Sequence, residues 1–396
     1  MPDDPHLPLA GIRVLELASV IAGPYAGSLL RNLGAEIVKV EPLQGGDPIR
    51  LWTSPRGPAV FNQINAGKQS IAVNLSSPKG QEVVRELLPT FDVLVHNLRP
   101  QRAEELGLTG RDCLSVHPPL VYVALSGFGG VGPLGDRPGY DGIGQAFGGL
   151  TGLITPLGDR PRIGPAFADL TAGLVCMAAV LIGLFARERS GEGQIIETSL
   201  IEAVVALIAD QFAHQQASGA AQDFDRRARR SQIFSLGTKD DRFVLVHVST
   251  SEKFFRSMLV AFGREELATD HRFDAYEKRV DNYDELLAEI EMTSRQEMLA
   301  HWESALASAD VPFSPVLTID DVLSHPQFDA LQLFSAIEKH SGIKLTGVPW
   351  RFDGVRPAES MSAPLLGEHT EAVLSDVLSH QEVERLREEG VIGGDR

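Results

Sequence analysis

Cysteine is almost missing from this chain: Cys113 and Cys176 are the two in 396 residues. Two thiols cannot brace a chain of this length, which excludes a disulfide-built fold and points to a reducing cytoplasm. Positive charge is also in deficit. Lysine and arginine number 36 against 53 aspartates and glutamates, a formal net charge of -17. That balance argues against nucleic acid or an anionic membrane as the main partner. It leaves room for an anionic small molecule, which needs a local group of cations and not a basic whole. The eleven histidines and two cysteines show no His-x-x-x-His or Cys-x-x-Cys spacing, so no metal site is expected. The start MPDDPHLPLAG has no apolar stretch of the kind a signal peptide carries. The apolar run 170–186 is short for a membrane span and contains Gly173 and Gly183, so it reads as a core helix. Internal repeats and low-complexity tracts are absent.

What is present is a 43% hydrophobic chain, long enough to bury a large core in two or more domains. RVLELAS (13–19), AEIVKVE (35–41), SIAVNL (70–75), DVLVHN (92–97) and LVYVALSGF (120–128) read as strands. Helical stretches fall between them, one beginning near Pro24 and another at PKGQEVVRELL (78–88). This rhythm predicts an α/β fold with a mostly parallel sheet and helices on both faces. Reactive groups in such sheets gather beyond the carboxyl ends of the strands, where Ser19, Asn97 and Ser126 fall. After the long apolar helix come a strand at 193–199 and a helix over 200–212. The polar stretch SGAAQDFDRRARRSQ (218–232) reads as a linker. RFVLVHV (242–248) then opens a smaller unit of mixed strands and helices, with helices over 281–292 and 294–308 and a strand at 313–317.

Asp169, in GPAFADLTAG, is a lone carboxylate at the start of the apolar helix. Two readings are open. It is a helix N-cap, accepting from the first free backbone N–H groups. Or it is a covalent nucleophile toward an activated acyl group, stabilised as an anion by the helix start and approachable past Ala168 and Gly173. SGFGGVGPLGDRPGYDG (126–142) is too rich in glycine for a strand or helix and reads as a loop or lid; no Gly-Lys-Ser/Thr follows, so it is not a nucleotide P-loop. IAGPYAG (21–27) follows a strand and opens a helix, but its glycines do not have dinucleotide-site spacing, and a packing role is expected for them. NAGKQS and HNLRPQR bring Lys68, Arg99 and Arg102 near predicted strand ends, where together they can bind phosphates.

Seven stretches, taken in order, resemble the class III CoA-transferases, the CaiB/BaiF-like group that contains formyl-CoA and carnitine CoA-transferases and has α-methylacyl-CoA racemases as relatives. They are LAGIRVLELASVIAGPYAG…GD (9–47), DVLVHNLRP (92–100), ALSGFG…RPGYD (124–141), PAFADLTAG (165–173), ERSGEGQIIETSLIEAV (188–204), VPFSPVLTIDDVLSHPQF (311–328) and APLLGEHTEAVL (363–374). The resemblance implies that Asp169 attacks an acyl-CoA thioester, and that CoA passes to a carboxylic acid through anhydride and aspartyl-CoA intermediates. It implies no permanently bound cofactor, with the coenzyme A thioester as substrate and Lys68, Asn97, Arg99, Arg102, Tyr140 and Val20 around it. Backbone N–H groups of the lid or of the helix start would stabilise the oxyanion.

The implied fold is a large Rossmann-like domain with a smaller α+β domain inserted, in two chains interlocked as a homodimer. The expected parts are 1–217, a linker at 218–232, the small domain at 233–330, and 331–396 returning to the large domain. The racemases carry His where this chain has Tyr140, and a tyrosine with an ordinary pKa near ~10 is a poor half of an acid–base pair, which favours transfer over racemisation. Some features depart from the family pattern. Glu104 and Glu105 stand where a basic residue is common, and NAGKQS lacks two cations of the usual NRGKRS. FDRRARRSQ replaces a glycine-rich loop near 220–235, which argues against oxalate or formate as substrates; its four arginines are an alternative source of phosphate contacts. Val20, Ile21, Phe128, Phe147 and Phe167 hint at an acyl group with apolar surface, with core packing as the alternative.

Overall fold

The computed structural model describes residues 6–55, 57–156, 158–219, 225–336, 343–357 and 361–394. The chain divides into two compact units. The first comprises Met1–Thr155, Asp159–Ser218 and Asp329–Arg396, and the second Pro156–Gly158 and Gly219–Phe328.

In the first unit six short strands run parallel: β1 Arg13–Leu17, β2 Glu36–Glu41, β3 Gln69–Val73, β4 Val93–His96, β5 Val121–Ser126 and β6 Ile195–Ser199. Their order is β3-β2-β1-β4-β5-β6, and Ile392–Gly393 adds an antiparallel edge beside β3. The chain winds outward from β1 in one direction and resumes at β4 in the other. The order therefore reverses between β1 and β4, where doubly wound sheets bind their ligands. Alternation along the strands divides the core in two. Leu15, Leu17, Val38, Val40, Ile71 and Leu94 pack with Val83, Val84 and Leu87 of the helix Pro78–Leu87 and with Val383 and Leu386 near the carboxyl terminus. Val14, Ile37, Val93, Val95, Val121 and Val123 pack on the opposite face.

Three helices carry that second face: α1 Ala22–Asn32, α2 Asp141–Phe147 and α3 Phe167–Ser190. α3 is longer than the apolar run suggested. It is long and apolar enough to cross a membrane by length and composition. Ala168, Ala172, Cys176, Ala179 and Val180 bury one side of it in the core of this unit, and Gly191, in the left-handed conformation, ends it. α1 and α3 approach closely because Gly173 has no side chain; a Cβ there would lie 2.8 Å from the Ala22 carbonyl oxygen and from the Tyr25 ring. The glycines of IAGPYAG do pack, Gly23 against Ala18 and Gly27 against Glu16. The helix expected over 200–212 is two, Leu200–Leu207 and Ala209–Ser218, because the backbone at Ile208 (φ -113, ψ 29) leaves the helical region.

The second unit is built on three antiparallel strands, β7 Ile233–Gly237, β8 Phe243–His247 and β9 Phe313–Pro315. Helices cover them, and Phe234, Phe255, Phe273 and Trp302 fill their core. Of the stretch read as a linker, residues 220–224 lie outside the described residues, while Arg226–Ser231 is a helix. Arg229 of that helix pairs with Asp284 at 2.9 Å and lies over the Tyr283 ring, so it is not an uncommitted cation.

The carboxyl ends of β1 and β2 are joined by buried charges. Lys39, fully buried, lies 3.0 Å from Glu16 Oε1 and 2.9 Å from Asp47 Oδ2, and donates to the Ala18 carbonyl at 2.6 Å. Lys68 donates to the other Glu16 oxygen at 2.7 Å, to the Pro24 carbonyl at 2.8 Å and to Asn65 Oδ1 at 3.0 Å. Burial alone would drive these groups neutral, but each carboxylate is matched by ammonium groups. Burial opposes the charge of Glu16, yet Lys68 and Lys39 hold its pKa below the usual value; for Lys39, burial is outweighed by Glu16 and Asp47, which hold it up. Removing one member leaves its partners buried and uncompensated. Lys39→Ala is expected to lower stability by about 3–5 kcal/mol, read as a fall in the urea midpoint at unchanged slope.

Candidate active site

A cavity of about 400 Å³ opens at the carboxyl ends of β1, β4 and β5, at the reversal of strand order. Six of the seven residues singled out in the sequence border it: Val20, Asn97, Arg99, Arg102, Tyr140 and Asp169. Ser19 and Ser126 border it too, as does Ile21. Arg137, in the glycine-rich loop, lines the same wall and was not singled out; its place in the RPGYD motif was the available signal.

The β1–α1 turn is held by side chains from two other loops. Asn97 Oδ1 accepts from the Ser19 N–H at 3.1 Å, and its Nδ2 donates to the Ser19 carbonyl at 2.8 Å. Asn97, expected among the ligand contacts, borders the cavity and clamps Ser19 with its amide. The Val20 N–H donates to Asp47 Oδ1 at 3.2 Å. Val20 has φ 69, a left-handed conformation that a β-branched side chain adopts only under constraint, at about 1–3 kcal/mol. The loop after β4 is shaped by buried His96. Its Nδ1 accepts from the Leu98 N–H at 3.1 Å, so Nε2 carries the proton toward the Tyr122 hydroxyl at 2.6 Å. Burial pushes the His96 pKa down to about 4. Arg99 is exposed, and Arg102 pairs with Glu105 at 2.9 Å, both half exposed, as their spacing suggested.

Lys68 departs from expectation. Its side chain is fully buried and its three protons go to Glu16, Pro24 and Asn65, so it is not a free phosphate-binding cation. Burial holds its pKa down to about 8 despite Glu16. It borders a different cavity, of about 520 Å³, with Arg13, Glu36 and Gln69 at the opposite ends of β1–β3.

Asp169 is the third residue of α3, and Ala166 holds the N-cap position with no side-chain bond. The N-cap reading of Asp169 is therefore excluded. The helix start is capped by Asp141, whose Oδ1 accepts from the N–H groups of Ala168 at 2.9 Å and Asp169 at 3.2 Å. Phe167 N–H bonds the Pro165 carbonyl and Leu170 N–H the Ala166 carbonyl, so the first donors of α3 are occupied and the helix start offers no oxyanion site. The Asp169 side chain accepts no hydrogen bond among the described residues, although the residue is only 6% exposed. Burial, with the Asp141 charge second, raises its pKa to about 7. A buried, unpaired carboxylate on a cavity wall is primed to react or to take a proton.

The glycine-rich loop closes on itself at Gly127 and Gly139, which meet too closely for a side chain on either. Beside it a second cavity, of about 490 Å³, shares Arg137 and Pro138 with the first and is lined by Phe128, Ile143 and Phe147. Phe128 and Phe147 stack edge to face at 5.3 Å. A third, of about 450 Å³, shares Pro42, Leu75, Leu98 and Arg102 with the Asp169 cavity. Phe167, expected near an acyl group, borders none of the three. Among the described residues no group of three His, Cys, Asp or Glu side chains is placed to hold a metal ion.

A doubly wound sheet with a buried, unpaired carboxylate at its switch point and arginines around adjoining cavities fits an enzyme acting on an anionic substrate. Residues 9–370 match the model of CoA-transferase family III, and the chain belongs to that family. It is 32% identical to mouse (Mus musculus) succinyl-CoA:glutarate CoA-transferase over 98% of this chain and 91% of that one. It is 33% identical to succinyl-CoA--D-citramalate CoA-transferase of Chloroflexus aurantiacus over 94% and 95%. Among solved structures, Rv3272 of Mycobacterium tuberculosis superposes with a TM-score of 0.84 at 30% identity, covering 93% of this chain and 100% of that one. The protein is a CoA-transferase that works on acyl-CoA and carboxylic acids.

A carboxyl whose native pKa exceeds its unfolded value costs stability wherever the unfolded chain would be ionised. For Asp169 that cost is complete above pH 7, shrinks as pH falls, and is gone below pH 4. Its size is on the order of 4 kcal/mol. Asp169→Asn is therefore expected to stabilise the protein by roughly 1–4 kcal/mol at pH 8, with little gain at pH 4, measured by urea unfolding.

Proposed function

We propose that Asp169 is the nucleophile of the transfer. The observation that carries this reading is its carboxylate: buried, without a hydrogen bond among the described residues, and on the wall of the switch-point cavity. A carboxylate oxygen attacks the thioester carbon of the donor, the C–S bond breaks, and CoA leaves as thiolate. The thiolate then attacks the aspartyl carbon of the mixed anhydride, releasing the donor acid and leaving CoA on Asp169. The acceptor carboxylate displaces it, forming a second anhydride, and the thiolate attacks the acceptor's acyl carbon. The new acyl-CoA departs and Asp169 is again a carboxylate. Water must be kept from the anhydride, and we assign that cover to the loop 127–139, whose two ends border the cavity.

Arg99, Arg102 and Arg137 are the cations we assign to the phosphates and carboxylates of the substrates, with Val20 and Tyr140 against the thioester. Neither Arg99 nor Arg137 forms an ion pair among the described residues. The adjoining cavities suit a long, bent ligand. Relatives named for succinyl-CoA with glutarate or D-citramalate make succinyl-CoA and dicarboxylic acids the first pair to test.

We further infer a homodimer, interlocked as the resemblance implies, in a cytoplasmic compartment suited to two free, buried thiols. Leu170, Leu174, Ile182 and Phe185 form an exposed apolar stripe along α3, 36–68% exposed, of the kind a partner covers. Light scattering should give twice the chain mass.

Incubation with succinyl-CoA and trapping with hydroxylamine should modify the Asp169 peptide, and Asp169→Ala should abolish transfer while the protein still folds. Unmodified Asp169 during turnover, or full activity in the variant, would reject the assignment. Because the attacking carboxylate must be ionised, kcat/KM should climb about tenfold per pH unit below pH 7 and level off above it.

A further inference from the structure

We propose that Asp141 is a positioning residue, which keeps the Asp169 carboxylate off its own helix start and presented to the cavity. The inference rests on Asp169 being the nucleophile. An aspartate in the first turn of a helix ordinarily turns its oxygens back onto the unsatisfied N–H groups there. Asp169 is placed to do so, and does not. The donors within its reach, its own N–H and that of Ala168, are held by a single Asp141 oxygen at 3.2 and 2.9 Å.

Asp141 is itself fixed. Its other oxygen accepts from Gln145 Nε2 at 2.6 Å, and the same nitrogen donates to the Pro165 carbonyl at 2.9 Å. Gln145 is fully buried one turn along α2, so the Asp141–Gln145 pair ties α2 both to the segment before α3 and to its first turn. The arrangement acts on Asp169 in two ways. It removes the partners that would fold the carboxylate inward, and it places a like charge behind it, which disfavours that retreat.

The other ionisable groups near this helix start are few. α2 is preceded by Tyr140, α1 brings Tyr25 against Gly173, and the cavity wall carries Arg99, Arg102 and Arg137. The helix Leu200–Leu207 carries Glu202, which is bound to Ser199 at 2.6 Å. Asp141 is the charge that joins burial in holding the Asp169 carboxyl up.

Charge and hydrogen bonding separate in two variants. D141N keeps a carbonyl oxygen for the Ala168 and Asp169 N–H groups and loses the charge. D141A loses both. The first readout needs no turnover: carbodiimide labelling of Asp169 from pH 5 to 8, followed by peptide mass spectrometry. The midpoint for protonated Asp169 should lie near pH 7 in the unaltered protein and fall by about one unit or more in D141N. The second is succinyl-CoA transfer. D141A should lose at least about tenfold in kcat with KM for acyl-CoA changed by less than about threefold, and D141N should recover part of that loss. Equal labelling midpoints in the unaltered protein and D141N, or full kcat in D141A, would overturn the proposal. Should D141A fail to fold, the D141N midpoint decides. If acyl-CoA leaves no adduct on Asp169 in the unaltered protein, the nucleophile assignment falls, and the labelling still reports whether Asp141 governs that carboxyl.

Discussion

The site depends on a lysine ammonium buried among carboxylates. Lys39 reaches from the middle of β2 to Glu16 on β1, to Asp47 in the following loop and to the Ala18 carbonyl. Those contacts fix the two strand ends against each other and hold Asp47 where it can take the Val20 N–H. Val20 is thereby kept in a conformation its side chain disfavours, directly at the cavity mouth. Asn97, across the switch point, holds Ser19 by both its amide groups. Local strain at the end of β1 is thus offset by bonds from β2 and β4, which a two-state fold can maintain because no member of the network can leave without exposing another as an unpaired buried charge.

Asp169 shows the opposite strategy. Every charge of the β1–β2 network is matched, while this carboxylate is buried and given no partner. Its elevated pKa expresses the cost of that isolation; in the transfer we propose, a carboxylate stripped of water and hydrogen bonds gains by forming a bond to carbon. The two carboxylates at the start of α3 divide the work a helix start demands. Asp141 satisfies the backbone, and the Asp169 carboxylate is left without a hydrogen bond among the described residues.

Much of the framework was legible from local pattern. Apolar runs of four to six residues marked the strands of the large sheet, and the alternation with helices marked it as parallel. Strand ends then gathered Ser19, Asn97 and Ser126 at one rim. The misreadings share one cause. Lys68 looked like a rim cation because it stands near a predicted strand end, yet its ammonium is bonded to the Pro24 carbonyl of α1. Asn97 was rightly placed at the rim, but that its amide bonds Ser19, 78 residues away, was not legible. Arg229, in a run of arginines that suggested an exposed linker, is committed to Asp284. β7, whose five residues include Ser235 and Gly237, carried too little pattern to separate from its surroundings.

By itself the sequence determined which segments become strands and helices, and that one carboxylate stands at the head of an apolar helix, because periodicity and capping chemistry act over a few residues. Only the tertiary structure decided which oxygen caps that helix, which cations remain free, and how far burial raises a pKa. Those depend on distances between groups far apart in the chain and on the water excluded between them, quantities that exist only once the strands have been brought side by side.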